Sequence, residues 1–209
     1  MTVETMVLGP VSANTYIVTD DVSGETAIVD CGECTPELLD RLNGKNVKYI
    51  LLTHGHADHI FGVYDLKQAF PEAKIVIHKK DADCLTNEMM SIAFSIAPHT
   101  QKNIEPDITV GEGDVISLGS LDFNVMHTPG HTMGSVCYYI ESERTLFTGD
   151  TLFCLTTGRT DLFGGSDDDM YVSIKRLYEM PGEYTIYPGH NRATTMEYER
   201  RRNRLSLIH

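Results

Sequence analysis

The chain has 209 residues, 41% of them apolar, with 30 acidic and 17 basic side chains and a formal net charge of -13. That length and apolar content suit one substantial core and not two, and the negative charge disfavours nucleic acid or an anionic membrane as partner. The amino-terminal stretch has no Lys or Arg ahead of an apolar run and no run long enough to span a bilayer, so neither a signal peptide nor a transmembrane helix is expected. Five cysteines at irregular spacing point to reduced thiols and a cytoplasmic setting.

In chain order, Tyr16 to Val18 and Ala27 to Val29 are apolar runs separated by a turn signal at 20–24, which predicts a hairpin. Thr35 and Pro36 start a helix, Tyr49 to Leu52 is a strand, Phe61 to Phe70 a helix and Lys74 to Ile77 a strand. From Asp81 to Pro106 no period of either kind holds, and helical pieces within loop are expected; Met89, Met90 and Phe94 are candidates to line a pocket or to serve as plain core. Strands follow at Val115 to Leu118, Leu121 to Met126, Ser135 to Ile140 and Thr145 to Phe147. A helix from about Asp168 to Glu179, a short strand at Tyr184 to Tyr187 and a basic helix after Thr194 complete the pattern. Strand-rich halves with intervening and terminal helices predict two packed sheets covered on both outer faces, an α+β, four-layer αββα sandwich in one domain, 1–209.

The chemistry sits where strands end. After the strand at Tyr49 to Leu52 the chain reads Thr53-His54-Gly55-His56-Ala57-Asp58-His59, which releases three imidazoles and a carboxylate into one turn. Neutral imidazole and carboxylate suit zinc, iron or manganese, and the small residues Gly55 and Ala57 let the backbone curl. His131, Asp150 and His190 each follow an apolar strand and a glycine. Seven ligands exceed the coordination of one ion and suit two divalent metals, zinc first with iron or manganese as alternatives, that share a bridging carboxylate. His78, His99, His127 and His209 lack this context and are left out.

The pattern H-x-H-x-D-H followed by single His, Asp and His resembles the metallo-β-lactamase superfamily. Val29-Asp30-Cys31-Gly32, Thr128-Pro129-Gly130-His131-Thr132 and Gly158-Arg159-Thr160-Asp161 are similar to its hydroxyacylglutathione hydrolase, or glyoxalase II-like, branch. That resemblance implies one metal on His54, His56 and His131, another on Asp58, His59 and His190, and Asp150 bridging both. Asp58 and Asp150 would then carry the catalysis, and a metal-bound hydroxide would attack a thioester such as a hydroxyacylglutathione. Asp30 would support the His turn, Asp161 would pair with Arg159, and Arg159 is a candidate to receive an anionic substrate group.

Two departures from that branch stand out. The glyoxalase II-like separate carboxy-terminal helical domain that helps bind glutathione is not expected after His190. Cys31 and Cys34 form a C-x-x-C pair where proline is common at the first position, and read as two ordinary thiols without thioredoxin-like context. Arg192, Arg200, Arg201, Arg202 and Arg204 read as a solvated face or an acidic-substrate clamp. The expected partner is a small molecule, with no nucleic acid and no membrane. The alternatives are a mononuclear iron persulfide dioxygenase and a lactone or β-lactam hydrolase; a nuclease and a non-catalytic binding module fit less well.

Overall fold

The computed structural model describes residues 1–203; Arg204 and His209 lie outside the described residues. Strands β1 (Thr2–Leu8), β2 (Ala13–Thr19) and β3 (Glu25–Val29) run antiparallel, with Tyr16 opposite Thr5 and Val29. Helix α1 (Pro36–Leu42) begins where Thr35 Oγ1 accepts from Leu38 N at 3.2 Å, with Pro36 at the first position, where its missing N–H goes unused. It buries Leu38 and Leu42 completely, each contributing about 1.5–3 kcal/mol.

Strand β4 (Asn46–Leu51), helices α2 (Ala57–Ile60) and α3 (Val63–Ala69) and strand β5 (Lys74–His78) follow. A 3-10 turn at Ala82–Leu85, helix α4 (Ala93–Ile96) and strand β6 (Ile108–Val110) lead out of the first half. The first sheet has the order β1-β2-β3-β4-β5-β6, parallel from β3 onward. Its parallel strands are near-continuous apolar runs because both faces are covered.

The second half holds β7 (Val115–Leu118), β8 (Leu121–His127), β9 (Val136–Ile140) and β10 (Thr145–Gly149), then the small hairpin β11 (Leu152–Phe153) and β12 (Thr156–Thr157). Helix α5 (Asp167–Glu179), β13 (Thr185–Pro188), β14 (Thr194–Thr195) and α6 (Met196–Arg202) complete it. The second sheet has the order β14-β13-β10-β9-β8-β7, and only the β10–β13 pair, joined across α5, is parallel.

Alternation along the strands makes the layers. Ile17, Ile28 and Ile50 face α1 and α3, whereas Tyr16, Val18 and Leu51 face Phe123, Tyr138 and Phe147 of the second sheet. Behind that sheet, Met170, Ile174 and Leu177 of α5 and Met196 of α6 cover Leu146 and Ile186. The result is the expected αββα sandwich.

Three expectations shift. The helix expected over 61–70 starts at Val63 and is preceded by the separate four-residue α2, because Gly62 must pass tightly over Cys31 and Cys34, where a Cβ would lie 2.5 Å from Cys31 Sγ. Tyr184 precedes its strand instead of opening it, its ring buried and its hydroxyl turned to Glu141. Strands β1 and β6 carry no internal signal of their own and exist through pairing with β2 and β5.

Candidate metal centre

The candidate ligands lie beyond the carboxyl ends of strands, parallel ones for all but His131, which follows the antiparallel β8. Asp30 follows β3, His54 follows β4, Asp150 follows β10 and His190 follows β13. Strand ends that point the same way bring residues far apart in sequence to one rim.

Asp30 sits at φ 57, a left-handed conformation that a short polar residue tolerates, and from there reaches the His turn. Its Oδ1 accepts from Thr53 N at 2.8 Å, and its Oδ2 accepts from Thr53 Oγ1 at 2.7 Å and from His59 Nδ1 at 2.9 Å. These bonds set tautomers. Because Thr53 Oγ1 gives its proton to Asp30, it accepts from His54 Nδ1 at 3.1 Å, which leaves His54 Nε2 with a free lone pair. His59 likewise turns Nε2 inward, 3.3 Å from Asp150 Oδ1 and 3.6 Å from Asp58 Oδ2. His131 donates Nδ1–H to the carbonyl of Arg159 at 2.7 Å, and its Nε2 lies 2.8 Å from His56 Nδ1 and 3.4 Å from Asp150 Oδ2. His190 Nε2 is 3.1 Å from Asp58 Oδ2 and 3.6 Å from Asp150 Oδ2.

The structure therefore brings all seven residues together. Three triads each place their ligand atoms within 4.8 Å of one another: His54, His56 and His131; Asp58, His59 and His190; and His54, His59 and Asp150. Burial, reinforced by neighbouring imidazoles, holds His54 and His56 neutral, with His56 pushed down to about 3. Burial opposes ionisation of Asp58 and Asp150, yet the His59 imidazole beside both holds them below the usual carboxylate range. The site thus presents His54 and His56 as unprotonated imidazoles and Asp58 and Asp150 as carboxylates, while against the cost of burial the carboxylates push His59 well up and raise His190.

Fit to a cation follows from unmet valences. His54 Nε2, His56 Nε2 and Asp150 Oδ1 are buried with no hydrogen-bond partner among the described residues. Such atoms are costly unless something satisfies them, and a cation answers a lone pair that no donor reaches. Close packing keeps the ligands in place. A Cβ on Gly189 would lie 2.2 Å from Asp150 Oδ1 and 2.8 Å from His59 Cε1, so only glycine lets β13 pass this closely before His190. The need for glycine at Gly55 is also proximity: a Cβ there would lie 2.4 Å from Cys84 Cβ.

Asp81, which sequence reasoning did not single out, ties two of the ligand turns together. It is buried, its Oδ2 accepting from Gly55 N at 3.0 Å and Thr132 Oγ1 at 2.6 Å, and its Oδ1 accepting from Gly134 N at 2.7 Å. Burial lifts its carboxyl above the ordinary range against the pull of those three donors. Nothing local marks it, since its partners are 26 to 53 residues away.

A cavity of about 520 Å³ opens over the cluster, with His56, Asp58, His131, Asp150 and His190 in its floor. This geometry agrees with the comparisons. The sequence profile of the metallo-beta-lactamase superfamily matches residues 8–190. The chain belongs to the metallo-beta-lactamase superfamily.

Within the superfamily, a protein of Aquifex aeolicus is 37% identical over 96% of this chain and 94% of its own length. The hydroxyacylglutathione hydrolase of Pelagibacter ubique is 31% identical over 93% of this chain, which spans 70% of that enzyme. Among solved structures, a B3 metallo-beta-lactamase superposes with a TM-score of 0.90 at 31% identity, covering 97% of this chain and 98% of its own. A protein solved in a di-iron-bound form gives 0.84 at 32% identity, covering 96% and 98%. ETHE1 from Myxococcus xanthus gives 0.77 at 28% identity, covering 97% of this chain and 83% of its own. The metallo-beta-lactamase fold is thereby established for this chain; that fold binds divalent metals, and the His and Asp clusters stand here as candidates to hold them.

Other candidates take different places. Arg159 lines the cavity, but its Nε and Nη2 donate to the two oxygens of Asp161 at 2.6 and 2.7 Å, so its charge is already answered. Met89 and Phe94 are exposed and absent from the cavity wall, and Met90 lines a separate small cleft beside Asp81; Ile92, Ser95 and Ile96 of the same segment line the cavity instead. The segment turns at Ile92, whose backbone is left-handed. Cys31 is buried and Cys34 half-buried, both free, with burial pushing both thiols up. Arg200 donates to the carbonyls of Tyr178, Met180 and Gly182 at and beyond the end of α5, and Arg201 makes an exposed pair with Glu197 within α6. Among the described residues no helix is long and apolar enough to cross a membrane.

Proposed function

We propose that this chain is a two-metal hydrolase of thioesters, of which a hydroxyacylglutathione is the reference case, acting as one metallo-β-lactamase-like domain. His54, His56 and His131 would hold one ion, Asp58, His59 and His190 the other, and Asp150 would stand between them. The observation that carries this reading is the convergence of seven buried ligand groups, three of their atoms unpartnered, in the floor of an open cavity. Bound there, zinc or iron would lower the pKa of a water and polarise the substrate carbonyl.

The chain's own residues do the rest. Asp58, ionised and 3.1 Å from His190 Nε2, is the acceptor that would take the proton of the attacking water and aim its lone pair. Asp30 and the Arg159 carbonyl lock the His59 and His131 tautomers, so neither ring turns when substrate enters. The thioester reading is supported by the hydroxyacylglutathione hydrolases among the relatives, 31% to 34% identical. Five free thiols support a reducing, cytoplasmic place of work.

The test is metal content of protein purified without added metal, with turnover of S-lactoylglutathione and oxygen uptake on glutathione persulfide measured on the same sample. About two ions per chain with thioester turnover is the expected result, and Asp58→Ala should lose one ion together with activity. One iron per chain with oxygen uptake and no thioester turnover would replace this reading by a mononuclear iron dioxygenase, an alternative that the ETHE1 neighbour fits.

A further inference from the structure

Apart from the metal ligands in its floor, the cavity has only Ser95 and Arg159 as polar lining residues. Its walls come from four separate segments: Val11 between β1 and β2, Ile92 and Ile96 around α4, Phe153 in β11, and Leu162 in the loop before α5. Arg159 is the one cation among the lining residues, and the bidentate pair with Asp161 leaves it little attraction for a substrate carboxylate. Within this lining a hydrocarbon chain finds matching walls, and a carboxylate finds no unpaired Arg or Lys. The volume, about 520 Å³, lies in the range of pockets that enclose small organic ligands.

Ile92 makes the wall unusual. It sits at φ 59, ψ 11, a left-handed conformation that a β-branched residue adopts only at a cost. Its surroundings hold it there: the Ser91 carbonyl accepts from Ala57 N at 2.8 Å, Ser95 N donates to the Ile92 carbonyl at 3.0 Å, and Phe94 N donates to the Glu88 carbonyl at 3.1 Å. The first of these bonds fastens the turn to α2, the helix that carries Asp58 and His59. Glycine would satisfy this backbone without strain, so the side chain at position 92 has work to do, and the work lies where it points, in the cavity.

We propose that this cavity is a subsite for an apolar acyl chain, aliphatic or aryl, and that Ile92 is a specificity-determining residue in its wall. The inference rests on the thioester hydrolase reading and narrows it: the scissile carbonyl lies over the ligand cluster and the hydrocarbon runs along Ile92, Ile96, Leu162 and Phe153. Selectivity then resides in the acyl half of the substrate and not in the thiol.

The test uses straight-chain acyl thioesters of N-acetylcysteamine, from acetyl to octanoyl, on the metal-loaded protein, with calorimetric binding of the matching free carboxylates in parallel. Each added methylene is expected to raise kcat/KM, and to tighten carboxylate binding, by about fourfold until the cavity is filled. Ile92→Gly should unfold at the same or a higher temperature, because strain is relieved, while the gain per methylene falls to about twofold for the carbons that touch position 92. A residue with a merely structural role would leave that slope unchanged. Thioester turnover with no dependence on chain length, or an undiminished slope in Ile92→Gly, overturns the subsite and leaves the hydrolase reading intact. Absence of thioester turnover overturns the hydrolase reading, and the carboxylate series then decides the subsite by itself: a rising affinity supports it and a flat one refutes it.

Discussion

Replacing Asp81 by alanine removes an acceptor from two backbone N–H groups, Gly55 N and Gly134 N, and from the Thr132 hydroxyl, all buried. The hydroxyl keeps a partner in Ser135 Oγ at 2.8 Å, so it is a minor part of the loss. Each N–H left without an acceptor costs about 1–3 kcal/mol, which puts Asp81→Ala at about 2–6 kcal/mol. That is a large fraction of the 5–15 kcal/mol that holds a typical domain together. In a chain of this size it corresponds to a fall in Tm of about 4–24 °C. The loss is directional. Asp81 links the turn that carries His54 and His56 to the turn that carries His131, and touches none of Asp58, His59 and His190. Urea unfolding of the chelated protein reads the stability change, and stepwise titration with cobalt, followed by its ligand-field spectrum, reads the two triads separately. The His54, His56 and His131 set should lose affinity by at least tenfold while the other keeps its own. Asp81→Asn, which retains one carbonyl acceptor but offers an NH₂ to a second donor, should fall between wild type and alanine. A stability change within about 0.5 kcal/mol, or equal weakening of both sets, would refute the linking role.

Gly189→Ala would drive a methyl into Asp150 Oδ1 and His59 Cε1, so metal stoichiometry should drop below wild type even where far-UV circular dichroism is unchanged. Asp20 accepts from Ser120 N, Ser120 Oγ, Ser23 N and Val22 N, and the Ser120 and Ser23 bonds hold its carboxyl well below the ordinary 3.8 against burial. A depressed carboxyl stabilises the fold at pH values above its unfolded pKa, and the contribution fades as pH falls below that through the folded value. Asp20→Asn should therefore be less stable than wild type at neutral pH and approach it below about pH 4, measured by urea unfolding across pH 3–7. Arg200→Ala removes the donor to three carbonyls at and beyond the end of α5; a loss of about 1–3 kcal/mol with metal content unchanged is the expected outcome of unfolding and metal assays together.

The elements that sequence reasoning located are those whose signals are local. The hairpin of β2 and β3 reads from its turn at 20–24, α1 from Thr35 and Pro36, and α5 is placed within a residue of its start, from about Asp168 to Glu179. The seven candidate ligands were legible because a glycine and a polar residue at the end of an apolar strand break the pattern around them. Strand β1 was missed because its register is set by β2, and α2 because four residues are too few to show a period.

What the sequence determined by itself was the sandwich and the type of chemistry, since alternation, caps and ligand-bearing turns are properties of neighbouring residues. Tertiary structure alone decided the partners that set the tautomers of His54, His59 and His131, that Asp81 joins two ligand turns, and that Arg159 is already paired. It also decided the cavity wall, in which Val11, Ile92, Phe153 and Leu162 meet across up to 151 residues of chain, from 11 to 162. The reason is physical: parallel strands that end at one rim bring distant loops to a common point, and the contacts made there leave no periodic trace in any one segment.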